Sequence, residues 1–114
     1  MYTMNIATRS IETRVVGVTF ENRQAVVAIL SEGERVSLIR EPDNPFDHNA
    51  VKVVRWDRKQ IGYLDRDLAR KLAPLMDYYG RSIVATVKRL MGGSYPGSSI
   101  GVIVRFYLPE QQQQ

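Results

Sequence analysis

Val36-Ser37-Leu38-Ile39-Arg40, Glu41-Pro42-Asp43-Asn44-Pro45-Phe46-Asp47-His48-Asn49-Ala50 and Val51-Lys52-Val53-Val54-Arg55-Trp56 follow one another without a gap. The outer runs are rich in β-branched residues and read as strands. Proline fixes φ and has no N–H to give a sheet, so Pro42 and Pro45 stop the first strand and impose a loop. Polar Asp57-Arg58-Lys59 then turns the chain into Gln60-Ile61-Gly62-Tyr63-Leu64, the return strand of a hairpin. Three short strands within residues 36–64 make the protein mainly β.

The flanks extend that reading. Arg14 to Phe20 is β-branched and aromatic and predicts a strand. Gln24 to Leu30 is too short for period to decide and is read as a short helix. From Asp65 to Tyr79 the period changes: Leu68, Leu72, Leu75, Met76 and Tyr79 share one helical face. Asp65 suits the N-cap, Asp67 the positive end of the dipole and Gly80 the C′ position. Pro74 inside this helix predicts a kink, or a break into two short helices. Ser82–Leu90 and Ile100–Leu108 read as two further strands around the loop Gly92–Ser99. Six strands with so little helix exclude a parallel doubly wound sheet and predict a small bent sheet or barrel, because closure removes exposed edges.

The chain has 114 residues, 44% hydrophobic and 25% charged, as expected for one domain, here placed at 11–109. Residues 1–10 are read as an N-terminal extension and 110–114 as a disordered tail. No secretory signal and no run of about 20 apolar residues is present, so a soluble, cytoplasmic protein is expected. There is no cysteine and one histidine, His48, which excludes disulfides, thiolate chemistry and zinc sites built on cysteine. Residues 1–51 carry five Arg/Lys against seven Asp/Glu, and residues 52–114 carry eleven against five. A balance of −2 beside one of +6 suggests a basic face that binds a polyanion, or simply a solvated basic surface.

Several chemistries fail on spacing. A calcium loop begun at Asp43 would put Pro45 and His48 where an oxygen ligand and a glycine belong, so no metal is expected. A phosphate loop needs Gly-Lys-[Ser/Thr], and the chain has no Gly-Lys pair. The single histidine has no nucleophile at a diagnostic spacing, so neither catalysis nor a cofactor is expected. Asp43, Asn44, Asp47 and Asn49 are explained as turn-formers, whereas Phe46 at a loop tip is not. Basic residues interleave with aromatics at Arg55-Trp56, Arg58-Lys59, Tyr63, Arg66, Arg70-Lys71 and Lys88-Arg89, a pattern suited to phosphates and unstacked bases. Trp56 and Tyr79 are read as core, and Tyr63 as the exposed end of a strand.

V-V-G-V-T-F (15–20), R-V-S-L-I-R-E-P-D-N-P-F-D-H-N-A-V-K-V (35–53) and I-G-Y-L-D-R-D-L-A (61–69) together resemble the HIRAN family, over about Arg14 to Leu108. The resemblance implies a β-rich, OB-like module that captures the 3′-hydroxyl end of single-stranded DNA, as in eukaryotic fork-remodelling translocases. By position, Phe20, Phe46 and Tyr63 would stack on bases and Asp47 would accept the terminal hydroxyl. Lys52 would steer the backbone, and Tyr95 would add a loop aromatic. Thr19 stands where DNA-binding members carry a basic residue, and Phe20 and Phe46 lack the hydroxyl of the usual tyrosines. No helicase or RING segment accompanies the motifs, so a stand-alone member serving DNA repair or fork processing is expected. The alternatives are a domain that docks onto a nuclease, helicase or defence protein, and a nucleic-acid hydrolase.

Overall fold

The computed structural model describes residues 10–80 and 82–108. Of the expected extension over residues 1–10, residues 1–9 lie outside the described residues, as does the expected tail over 110–114. The elements are β1 (Ser10–Arg14), α1 (Arg23–Val27), β2 (Arg35–Arg40), β3 (Val51–Arg55), β4 (Gln60–Tyr63), α2 (Arg66–Tyr79), β5 (Ile83–Gly92) and β6 (Ile100–Tyr107). The strands form one antiparallel sheet in the order β1-β6-β5-β2-β3-β4.

The central strands form as their alternation demands. Val36 and Leu38 of β2 turn inward and face the buried Val51 and Val53 of β3, with Val36 opposite Arg55 and Arg40 opposite Val51. Ala85 and Val87 of β5 and Val102, Val104 and Phe106 of β6 complete the core. The sheet curls until its ends meet in a half-barrel of OB-like form. The Val15 N–H donates to the Val102 carbonyl (2.9 Å). Val16 and Tyr63 exchange two backbone bonds of 2.8 and 2.9 Å, joining the first strand to the last. Gly62 permits this approach: a Cβ there would lie 2.4 Å from the Val16 carbonyl oxygen.

The first strand differs from the sequence expectation. It spans Ser10–Arg14, not Arg14–Phe20. Val15 and Val16 close the barrel, after which Gly17 (φ 74), Glu21 (φ 54) and Asn22 (φ 64) take left-handed conformations and turn the chain out of the sheet. β propensity reflects packing more than backbone preference, and here closure overrides it.

The short helix forms as expected at Arg23–Val27, and hydrogen-bonded turns carry it on to Leu30. Gln24 ties it to β6: its amide donates to the carbonyls of Val18 and Ile100 (both 3.0 Å) and accepts from the Ile100 N–H (2.8 Å). In α2 the Asp65 side chain caps the N–H groups of Asp67 (2.7 Å) and Leu68 (3.3 Å), and Gly80 ends the helix at φ 66. Pro74 does not break it in two. The proline faces solvent, where water can serve the carbonyl it leaves without a donor. The buried face is Ala69, Leu72, Ala73 and Met76, with Leu75 exposed and Leu68 and Tyr79 half-buried. Small alanines let the helix sit close to the sheet, and the bulkier side chains flank them. Trp56, expected in the core, is 70% exposed.

Candidate nucleic-acid interface

The loop between β2 and β3 is built from its own acceptors. Its ends meet where the Glu41 N–H donates to the Ala50 carbonyl (2.9 Å). Asn44 Oδ1 accepts from the N–H groups of Phe46 (2.8 Å) and Asp47 (3.1 Å), and Asp47 Oδ1 accepts from the Asn49 N–H (2.9 Å). Arg40 braces the loop from behind, donating to the carbonyls of His48 (3.0 Å) and Ala50 (3.1 Å). The same guanidinium pairs in a fork with Asp77 of α2, at 2.9 and 3.1 Å. That pairing holds the Asp77 carboxyl below its ordinary value despite a small burial penalty. So fixed, the loop carries Phe46 outward, 86% exposed. The turn-forming role expected of Asn44 is thus present, and the turn it makes is what presents Phe46.

A groove of about 1090 Å³ opens between this loop, the Val16–Glu21 segment and the end of β4. Phe20, Phe46, Asp47 and Tyr63 all line it. Thr19 lies in the adjacent turn, Lys52 on β3, and Tyr95 in the exposed β5–β6 loop; none of these three lines it. Tyr63 is half-buried, not the open strand end expected, because its hydroxyl donates to Glu41 Oε1 (2.7 Å). Arg23 lies over its ring, 5.3 Å from the centroid, and is itself held by the Gly17 carbonyl (2.9 Å) and Glu21 (2.8 Å). Burial works against charge on Glu41. Hydrogen bonds from Asn44 and Tyr63, with Lys52 and Arg23 nearby, outweigh it and hold the carboxyl below 4.5. Burial and the same carboxylate raise the Tyr63 hydroxyl above 10.0, so it remains a donor.

The charge of the groove is not the basic one that the composition suggested. Glu21, Glu41, Asp43 and Asp47 line it against only Arg23 and Arg66. Arg66 stands at the mouth, its Nε 3.6 Å from Asp47 Oδ2 and its Nη2 donating to the Phe46 carbonyl (3.2 Å). Half-buried acceptors such as Glu41 and Asp47 favour neutral O–H and N–H donors and oppose phosphate, whereas the rim aromatics offer open faces for stacking. Sequence reasoning did not single out Arg23 or Glu41 for this site. Both act through Tyr63, a contact that exists only once the barrel has closed.

The HIRAN domain profile matches residues 8–107. A Fanconi-associated nuclease 1 homolog of Arabidopsis thaliana is 37% identical over 78 residues, 68% of this chain but 8% of that protein. The crystal structure of the HIRAN domain of human HLTF superposes with a TM-score of 0.64 at 30% identity, covering 89% of this chain and 77% of that one. The NMR structure of the HLTF HIRAN domain in its DNA-bound conformation superposes with a TM-score of 0.59 at 30% identity, covering 89% and 76%. With its fold and nearly all its described length in agreement, the chain belongs to the HIRAN domain family.

Proposed function

We propose that the chain is a non-catalytic nucleic-acid-binding module whose groove takes a single-stranded DNA end with a free 3′-hydroxyl. The observation that carries this reading is the convergence of Phe20, Phe46, Tyr63 and Asp47 on one open groove. The DNA-bound conformation of the related HLTF domain supports DNA as the ligand. Phe46 and Phe20 are open for stacking, at 86% and 67% exposure. Asp47 Oδ2, engaged among the described residues only by Arg66 at 3.6 Å, accepts the terminal hydroxyl. The surplus of carboxylates excludes a terminal phosphate from the interior, and Arg66 meets the first internal phosphate at the mouth.

Oligonucleotides ending in 3′-hydroxyl and 3′-phosphate, compared by fluorescence anisotropy, test the mechanism. Preference for the hydroxyl, abolished in Asp47→Ala, is expected. Equal affinity for both ends sinks end recognition. Because one matching relative is by name a nuclease, we read the module's task as delivering ends to DNA-processing partners in repair or fork processing.

A further inference from the structure

The β3–β4 turn stands at the opposite end of β3 from the groove and carries features the groove does not use. Trp56 is 70% exposed, although it directly follows a strand of buried valines. Its ring is braced. The Arg55 guanidinium lies over it, 4.9 Å from the centroid, and is gripped by Glu34 (2.8 Å) and Asp57 (2.8 Å). Two carboxylates neutralise Arg55, so it supports the indole and leaves the rest of the ring open. Arg58 sits at φ 72, where glycine or asparagine is favoured and a long side chain is strained. Arg58 and Lys59 are exposed, and neither has an ion-pair partner among the described residues.

An unpaired cation kept at a strained position beside a braced, open indole points outward to a ligand. We infer that this turn is a second contact for single-stranded nucleic acid. A base stacks on the free face of Trp56, and Arg58 and Lys59 pair with the flanking phosphates. Charge selects this ligand over an apolar protein surface, because burying two cations that form no ion pair among the described residues is costly, whereas phosphates neutralise them. Strands rise about 3.3 Å per residue, which places Trp56 roughly 20 Å along β3 from Ala50 at the groove. At about 3.4 Å per stacked nucleotide, one strand needs roughly six nucleotides to reach both contacts. This spacing rests on the groove holding an end; the stacking contact itself does not.

Trp56 is the chain's single tryptophan, so its emission reports this contact alone. A dT trimer is expected to bind without quenching it, and a dT dodecamer to quench it. Trp56→Ala is expected to weaken dodecamer binding by about 5- to 150-fold, the loss of one stacked base, and to leave the trimer unchanged. Arg58→Gly should lower the slope of log affinity against log salt by about 0.7 while the melting temperature holds or rises. A dodecamer that binds by anisotropy yet leaves the emission unmoved, and binds Trp56→Ala as tightly, overturns the inference; a turn made for a protein surface gives this result. Quenching by the dodecamer with no trimer binding supports the turn and removes the groove reading. Binding of neither oligonucleotide overturns both.

Discussion

Replacing Gly62 with alanine places a methyl carbon 2.4 Å from the Val16 carbonyl oxygen and 2.8 Å from Val15 Cγ1. Neither neighbour can yield cheaply, since one is backbone and the other belongs to a valine only 1% exposed. β4 must move away from Val16, which breaks the paired bonds of 2.8 and 2.9 Å that close the barrel. Overpacking a tight site costs about 1–3 kcal/mol. Each lost backbone bond adds about 0.5–1.5 kcal/mol. The sum, roughly 2–6 kcal/mol, is a large part of the 5–15 kcal/mol that holds an ordinary domain together. A loss of about 3 kcal/mol corresponds to a fall in melting temperature on the order of 12–24 °C for a domain of this size. Gly97→Ala is the comparator: its φ of 87 strains any side chain, but nothing lies within 4 Å of the added carbon. Urea unfolding followed by circular dichroism gives both midpoints. If the two variants lose stability equally, within about 0.5 kcal/mol, close approach at Gly62 is not what closes the sheet.

Phe46→Ala should leave stability within about 0.5 kcal/mol of the parent, because the ring is 86% exposed, yet weaken oligonucleotide binding by about 1–3 kcal/mol in anisotropy titrations. Tyr63→Phe removes a donor to Glu41; it should cost about 1 kcal/mol in urea unfolding and raise the Glu41 titration seen by carboxyl-carbon NMR. Asp77 is held below its ordinary 3.8 by Arg40, so its contribution is present above that value and fades as pH falls through the lower, folded one. The stability gap between the parent and Asp77→Asn should therefore be full at neutral pH and shrink below about pH 3.8. A gap that is unchanged in acid refutes the linkage.

What the sequence made legible is what depends on neighbours along the chain. Pro42 and Pro45 mark the loop, alternating valines mark β2 and β3, and Asp65 with Gly80 bounds α2 through local hydrogen bonds. Gly62 was visible in its motif, but its reason was not, since the Val16 carbonyl it admits comes from the other end of the sheet. β1 was missed because Ser10-Ile11-Glu12-Thr13-Arg14 is a half-exposed edge with little apolar signal, and its partners, Arg105 among them, lie at the far end of the chain. Trp56 was misplaced because large apolar residues are usually inside, a rule that does not run in reverse. Within the site, Phe46 stood out at its loop tip, whereas Arg23 was unreadable: it reaches Tyr63 only across the closed seam.

The distribution of charge divides the labour of binding. Groove carboxylates cannot attract a polyanion from a distance, yet the chain carries a formal net charge of +4. Among the described residues, Arg14, Arg35, Arg58, Lys59, Lys71 and Arg89 have no ion-pair partner, and all six lie outside the groove. Attraction to phosphate therefore resides on the outside, where it is long-ranged and screened by salt. On the proposed reading, selection resides inside, where desolvation makes a misplaced phosphate costly and a neutral hydroxyl acceptable. An interior rich in arginine would have strengthened the grip on any phosphate and removed the distinction between an end and the middle of a strand. The carboxylates of Glu41 and Asp47 give up that strength, and on the proposed reading this is what lets the groove tell where a strand stops.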